Sequence, residues 1–310
     1  MIHASFHVHR LSEHTEIFSK GDSAITLKTF FRISFQRVCI AGLLAFLTLE
    51  SHAASDQDGA FPTNSDVVFS PLLADPREIQ LAGYYYRQRD NNVGDVALGH
   101  EWGIYRWHSG RDRRWTWQWN LAGMAYSLFK LGGGVNEFET IDFFANIPIQ
   151  FRRDRTSGRV TFFHNSSHLG DDYIRQARYE GSRYSVEGLK GILSYEPNDS
   201  LRVYGGGLYL LHTIPFPQRA GAQVGLEIKS PPLNRHDRYI YSLYTAHDYQ
   251  PREVTRWASN GRTILGLRCT MQDSRRSLRI QIGRYFGPSP YSQFQLHREN
   301  YWDIGIGIDL

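Results

Sequence analysis

The chain has 310 residues, of which 21% are charged and 14% are aromatic, and its formal net charge at pH 7 is +4. Its mean hydropathy is negative, and it lacks the apolar runs of about 20 residues that a bundle of membrane-spanning helices would need. The small positive charge gives no support for nucleic-acid binding.

The longest apolar run lies near the amino terminus, at residues 38–49. Lys28, Arg32 and Arg37 precede it, and small residues follow it. A basic segment, a short apolar core and a small-residue site are typical of a secretory signal peptide, whereas a buried helix of a cytosolic protein is the alternative. We therefore predict that residues 1–53 are a cleaved signal peptide, whose unusual length is consistent with a start site assigned too far upstream.

The next segment, residues 54–79, is polar and rich in proline, and we expect it to form an extended periplasmic lead-in. Residues 80–310 then repeat short stretches of Tyr, Phe, Trp, Val and Ile between Gly, Asn, Asp, Ser and Pro. These are strand and turn signals, and no helical periodicity competes with them, so we predict an all-β fold. The twelve predicted strands are residues 80–88, 98–108, 114–129, 138–153, 158–167, 183–195, 200–212, 221–229, 237–248, 260–272, 276–286 and 300–310.

The predicted connections alternate between short and long. Several strands have 10 or more residues, the length that a tilted membrane-crossing strand needs, and alternating connections with an even strand number are typical of outer-membrane barrels. The sequence thus predicts a single twelve-stranded antiparallel up-and-down transmembrane barrel over residues 80–310, with a soluble β-sandwich or propeller as the alternative. The longer connections are residues 89–97, 130–137, 168–182, 213–220, 249–259 and 287–299.

The last strand is apolar at every second residue, from Trp302 through Ile304, Ile306 and Ile308 to Leu310. This pattern resembles the terminal strand by which the outer-membrane assembly machinery recognises its barrels, although that family pattern prefers a terminal aromatic residue. We therefore expect this machinery to be a partner of the chain.

The densest group of proton-handling side chains lies at residues 162–172, at the end of the fifth predicted strand. Because side chains alternate along a strand, His164, Ser166 and His168 share one face, and Ser167 lies on the other. With both chain ends in the periplasm, this strand runs outward, and we predict that His164 and Ser166 face lipid near the external rim.

This H-x-S arrangement resembles that of outer-membrane phospholipase A and of the lipid A deacylase barrels. The resemblance implies that His164 is the base and Ser166 the nucleophile of an acyl hydrolase acting on membrane lipid or lipopolysaccharide. It also implies a calcium requirement and a homodimer, because the phospholipase family uses calcium and dimerises when active.

A longer string, H-x-S-S-H-L-G-D-[DE]-Y, together with the Pro-Leu-Leu-Ala-Asp-Pro-Arg-Glu sequence at residues 71–78, resembles a family of exported β-barrel proteins. This resemblance covers most of the chain after the predicted signal peptide, but that family has no established activity.

A third residue is needed to orient His164. The phospholipase family keeps a polar residue twelve positions beyond its nucleophile, but Arg178 stands there in this chain and cannot accept the imidazole proton. We assign the role to Glu180, which lies just before the neighbouring strand. The acids nearest to the motif are Asp171, Asp172, Glu180 and Glu187.

The rest of the motif is open to several interpretations. Ser167, His168 and Gly170 could supply backbone N–H groups to an oxyanion or could support a structured loop. Asp171 and Asp172 could hold Ca²⁺. A separate metal site would use both of these acids with His164 and His168, but Asn165 replaces the general-base Glu of a zinc protease.

The sequence therefore supports two functional hypotheses, an outer-membrane lipid acyl hydrolase and a non-catalytic outer-membrane barrel that is structural, transporting or porin-like. In the second hypothesis the motif only shapes an external loop, where Arg175, Arg178 and Arg183 could contact lipopolysaccharide phosphates. Other histidines, His212 and His247 among them, are interpreted as interfacial or hydrogen-bonded.

Overall fold

The computed structural model describes residues 58–62, 67–132, 136–178, 181, 183–235, 238–272 and 276–310. The predicted signal peptide lies outside the described residues. None of the helices in the described part has the length and apolarity that crossing a bilayer as a helix would require.

In this part of the chain, twelve antiparallel strands form one closed barrel, as the sequence predicts. Each strand pairs with its neighbours in sequence, and the first strand pairs with the last to close the barrel. The strands are β1 Leu81–Gln88, β2 Asn91–Ser109, β3 Trp115–Leu131, β4 Glu137–Arg153, β5 Thr156–Leu169, β6 Tyr184–Asn198, β7 Leu201–Ile214, β8 Ala220–Lys229, β9 Tyr239–Tyr249, β10 Gly261–Met271, β11 Ser277–Pro288 and β12 Arg298–Asp309. A helix, α1 Asp171–Ala177, lies between β5 and β6.

The two faces of the barrel wall have opposite character. On β12, Ile304 and Ile306 point outward and are more than half exposed. The preceding residue, Asp303, points inward and is 4% exposed. Alternate residues of a strand point to opposite faces, so this pattern gives an apolar outer wall around a polar interior.

One predicted connection is wrong. Residues 89–97 were expected to form a long loop, but β2 begins at Asn91, and only two residues join it to β1. Arg89 takes the left-handed conformation (φ 54°) that a tight turn requires. Polar residues and a glycine at 91–97 suggested a loop, but Val93 and Ala97 alternate inward into the core.

The predicted lead-in differs from an extended periplasmic segment. Residues 67–79 of this segment lie inside the barrel, where Phe69 and Leu72 are buried against Ile192 and Tyr204. The Leu73 N–H donates to Glu227 Oε1 of β8 at 2.8 Å. We call residues 67–79 the plug, because they occupy the interior of the barrel.

Three ion pairs, each with a buried carboxylate, hold the plug to the wall. Glu78 makes two hydrogen bonds of 2.7 Å with the guanidinium of Arg159 on β5. Arg77 Nη2 lies 2.9 Å from Asp142 Oδ2 on β4. Asp75 Oδ2 accepts from Lys190 Nζ on β6 at 2.8 Å.

The charge of Asp75 depends on these partners. Burial by itself would raise the pKa of Asp75, but Lys190 and the hydrogen bonds from Arg77 and Gln250 hold the pKa well below its usual range. Removing one partner from such a pair would leave a buried charge uncompensated. The plug is therefore an integral part of the fold.

At the end of the barrel where the longer loops lie, residues 289–297 contact the plug and the inner wall. Pro290 O accepts from Arg77 Nε at 2.7 Å, and the N–H of Ser292 donates to Asp142 Oδ2 at 3.0 Å. Plug and loop thus meet at Asp142. We call this end the loop end and the other, which carries both described chain ends, the termini end.

Candidate functional site

The two faces of β5 separate the polar residues of the predicted motif. Asn165 and Ser167 point into the barrel, where Asn165 Nδ2 donates to Ser292 Oγ at 2.9 Å and Ser167 Oγ donates to Asp142. His164 and Ser166 point to the outer wall and are partly exposed. The outward orientation of the H-x-S pair agrees with the predicted alternation.

Strand register brings a carboxylate to His164. Glu187 of β6 lies directly opposite His164 in the β5–β6 ladder. Residues that oppose one another across an antiparallel pair have Cβ atoms about 5 Å apart. Glu187 Oε1 lies 2.7 Å from His164 Nδ1, which is a hydrogen-bonding distance.

A second histidine uses the other oxygen of the same carboxylate. His212 Nδ1 of β7 lies 2.6 Å from Glu187 Oε2. The β6–β7 register shifts next to Glu187 and leaves Leu211 without an opposite residue. This β-bulge sets His212 and Leu211 both on the outer wall, and bulges commonly re-aim side chains in this way.

The shared carboxylate determines the tautomers of the two rings. A carboxylate accepts but does not donate when ionised, so each Nδ1 carries a hydrogen and donates it to Glu187. Each Nε2 is then available as a base when its ring is neutral. The side chains of His164, Glu187 and His212 are 41%, 28% and 56% exposed, so substrate could reach them from outside the barrel.

Two serines lie next to this His-Glu-His cluster on the outer wall. Ser166 is two residues from His164, and Ser185 of β6 lies opposite Ser166 in the ladder. Within the described residues no hydrogen bond joins Ser166 to His164. Contacts between a nucleophile and its base are often loose without substrate, and a serine hydroxyl reorients by rotation about one bond.

The predicted support residues have other contacts. The Gly170 N–H donates to Glu139 O at 2.8 Å, so it is not free to bind an oxyanion. A Cβ at Gly170 would come within 2.0 Å of Phe138 O, which explains the glycine. Ser167 is engaged inside the barrel, and the His168 ring packs edge-on against Phe143 on the outer wall. These contacts favour loop support over oxyanion binding.

The predicted acids of the loop are partly occupied. Asp172 accepts from the Phe138 N–H at 2.9 Å and pairs with Arg175, and these two contacts lower its pKa. Asp171 lies in the first turn of α1. Glu180, predicted to orient His164, lies outside the described residues.

The candidate calcium and metal sites are not assembled in the part of the chain that the structure describes. No group of three or more His, Cys, Asp or Glu side chains is close enough there to hold a metal ion. Of the carboxylates that the structure does describe, Glu187 is the one hydrogen-bonded to His164.

Another histidine on the outer wall, His247, provides a comparison. His247 Nδ1 of β9 lies 2.8 Å from Thr263 Oγ1, which is opposite it on β10. This pair has the same cross-strand geometry as His164 and Glu187, but its partner is a hydroxyl group. It is a matched control for experiments on the cluster.

Sequence reasoning missed two residues of the cluster. The sequence favours Glu180 over Glu187 for the orienting role, because the position of Glu187 opposite His164 depends on strand register. The sequence predicts an interfacial or hydrogen-bonded His212 but not its partner, because the bulge that directs it to Glu187 has no clear signal in the sequence. The only signal for these residues in the sequence is their position: Glu187 and His212 lie 23 and 48 residues after His164, each on a different predicted strand.

Comparison with known proteins identifies one family that matches the chain and several solved barrels that resemble it. The family described as "Protein of unknown function (DUF1207)" matches residues 51–309. No curated protein matches the chain significantly.

Several solved barrels resemble the chain. Outer membrane phospholipase A from Escherichia coli is 14% identical with a TM-score of 0.44, and the alignment covers 76% of this chain and 92% of that one. A KdgM porin is 10% identical with a TM-score of 0.40, covering 75% and 99%. LpxR from Salmonella typhimurium is 11% identical with a TM-score of 0.35, covering 74% and 100%. At these identities the likeness extends to the barrel architecture alone.

Proposed function

The chain belongs to the DUF1207 family, and we propose that it is an outer-membrane lipid acyl hydrolase with its site on the outer wall of the barrel. The observation that carries the proposal is the hydrogen bond between His164 Nδ1 and Glu187 Oε1, on the same face as Ser166. A nucleophile, a base and an orienting acid are thereby supplied by two adjacent strands.

In the proposed first step, the Ser166 hydroxyl oxygen attacks the carbonyl carbon of a lipid ester while its proton passes to His164 Nε2. The tetrahedral intermediate collapses to an acyl-serine, and the departing alcohol takes the proton from His164. Glu187 holds the imidazole through Nδ1 and stabilises its positive charge, which is the role of the acid in serine hydrolases. It also replaces Glu180 in the predicted arrangement.

In the second step, water attacks the acyl-serine carbonyl and gives its proton to His164. The carboxylic acid is released, and Ser166 recovers its hydroxyl. Ser185, opposite Ser166, is the side-chain donor that we assign to the oxyanion, since the Gly170 N–H is already bonded.

The surroundings of the cluster support a lipid substrate. Val160 and Phe162 of β5 and Leu189 of β6 point outward below it and are 49%, 39% and 43% exposed. An apolar outer wall is what a barrel presents to lipid chains. We therefore propose an outer-membrane location, reached through the predicted signal peptide and the barrel assembly machinery, with phospholipid or lipopolysaccharide as substrate. Calcium dependence and a homodimer stay predictions.

A non-catalytic barrel is the second candidate function, and the missing Ser166–His164 hydrogen bond favours it. A porin-like role receives less support, because the plug and residues 289–297 occupy the interior. The competing class is thus a structural barrel whose outer cluster only anchors neighbouring strands.

The test is acyl release from phospholipid and from lipid A by the detergent-refolded protein. We expect Ser166→Ala to abolish release and Thr263→Ala, the matched change beside His247, to leave it unchanged. Folding of both variants is checked by heat-dependent mobility on electrophoresis. Full activity in folded Ser166→Ala would refute the proposal, and activity on one lipid alone would identify the substrate class.

A further inference from the structure

A cavity of about 110 Å³ lies inside the barrel, between the plug, the walls formed by β4–β7 and the loops of the loop end. A buried water needs roughly 10–15 Å³ of such volume, so the cavity has room for several water-sized groups. We call it the lumen pocket. It lies on the opposite side of the barrel wall from the His-Glu-His cluster, and its role is independent of hydrolysis.

The lumen pocket has a mainly apolar wall. Inward-facing side chains of four strands and one loop supply it. The apolar lining includes Phe144, Phe163, Val186, Leu208, Leu210 and Phe216. Such a wall favours an aliphatic or aromatic body in the ligand, because burying apolar surface is the main favourable term in association.

Charge at the loop end of the pocket is positive. Arg77, Arg159 and Lys190 also line the pocket, but each is already paired with a carboxylate. Arg219 Nη1 donates to the carbonyl oxygens of Leu210 and Leu211, at 2.9 and 2.6 Å.

Arg252, on the loop between β9 and β10, is the second cation at this mouth. In the described part of the chain, neither Arg219 nor Arg252 is paired with a carboxylate. Glu253 accepts from the backbone N–H groups of Arg219 and Ala220 and pairs with neither guanidinium. Two guanidinium groups without a carboxylate partner favour an anionic group, and a carboxylate matches their planar donor geometry.

Two buried acceptors inside the pocket lack donors. Asn146 Oδ1 and Asn165 Oδ1 have no hydrogen-bond partner in the described structure, and their side chains are 8% and 5% exposed. An unsatisfied buried acceptor is costly, so both positions favour a hydroxyl group of a ligand. The pocket therefore combines an apolar wall, a cationic mouth and internal acceptors.

We propose that the lumen pocket binds a small hydroxy fatty acid that enters from the loop end. Its carboxylate contacts Arg219 and Arg252 at the mouth. Its aliphatic chain packs against the apolar wall, and its hydroxyl group donates to Asn146 Oδ1.

The experiment is a calorimetric titration of the refolded protein in amphipol, with empty amphipol as the blank. The probes are 3-hydroxyhexanoate, hexanoate, hexanol and hexylamine, which are soluble without micelles. We expect 3-hydroxyhexanoate to bind most tightly, hexanoate several-fold more weakly, hexanol at least tenfold more weakly, and hexylamine not at all. Equal binding of hexanol and hexanoate would overturn the proposal.

Two variants test the assigned contacts. Arg252→Gln is expected to weaken both carboxylates about tenfold and to leave hexanol unchanged, whereas Arg284→Gln is the control. Arg284 lies on the outer wall with its guanidinium 5.4 Å from the ring centre of Trp302. Asn146→Leu is expected to abolish the preference for the hydroxylated probe.

The proposal is wrong if Arg284→Gln weakens carboxylate binding as much as Arg252→Gln does, or if Asn146→Leu keeps the hydroxyl preference. If Arg252→Gln does not fold, the affinities of the unchanged protein for hexanoate and hexylamine are compared instead. Tighter binding of the anionic hexanoate would show that the mouth of the pocket is positively charged. Hexylamine binding as tightly as hexanoate would then overturn the proposal.

Discussion

Ser166 and Ser167 are adjacent in β5, but they lie on opposite sides of the barrel wall. Ser167 is 2% exposed and donates to Asp142, which also binds the plug and residues 289–297. Ser166 is partly exposed, and its hydroxyl group makes no side-chain hydrogen bond among the described residues. The polar groups on the inner face of β5 therefore stabilise the fold, whereas those on its outer face are not needed for the stability of the fold. Such groups are the better candidates for chemistry.

Among the changes that separate the two faces of β5, Glu187→Gln on the outer wall is expected to have the largest effect on acyl release. The amide can donate to His164 Nδ1 and thereby place the hydrogen on Nε2, where it cannot take the proton of Ser166. An equivalent change in a serine protease lowers kcat about 10⁴-fold, and we expect a loss of about 10²–10⁴-fold in acyl release. Single-turnover release by the folded variant measures it, and a loss of less than twofold would remove Glu187 from the mechanism.

On the inner face, Glu78→Gln should give the next largest effect. It leaves the Arg159 guanidinium buried without its carboxylate, which typically costs about 3–5 kcal/mol of stability. Urea unfolding of the refolded protein measures the change. Asp154→Asn, at the exposed pair with Arg114, is the control and should change stability little. Equal midpoints for the two variants would contradict the structural role of the plug.

Substituting each serine of β5 separately tests the two faces directly. Ser167→Ala removes the donor to Asp142 and should destabilise the barrel by about 1–3 kcal/mol, with activity per folded molecule retained. Ser166→Ala should show the reverse, unchanged stability and lost activity. Unfolding midpoints and initial rates of the two variants are compared side by side. Loss of activity in both at unchanged stability would show that the faces are not functionally separate.

The smallest effect is expected from His212→Phe on the outer wall. It removes the second partner of Glu187 but keeps the contact between Glu187 and His164. We expect acyl release to fall by less than about tenfold, since an exposed contact between charged groups contributes about 1 kcal/mol or less. A loss as large as that of Glu187→Gln would make His212, and not His164, the base.

The sequence predicted the strands better than their connections. Ten or more residues of alternating character, as at 300–310, identify a strand because the pleat sets a two-residue period. The stretch 91–97 escaped prediction because its polar residues mimic a loop, and only pairing with both β1 and β3 makes it a strand. The plug escaped because its charged residues require partners that lie far away in sequence, as Glu78 requires Arg159.

The sequence by itself determined the number of strands, their order and the face of β5 on which His164 and Ser166 lie, because these follow from local alternation and turn residues. The tertiary structure alone decided which carboxylate meets His164 and what fills the barrel. Both depend on register and on a bulge, so they join residues such as Glu187 and His212 whose proximity no local pattern encodes.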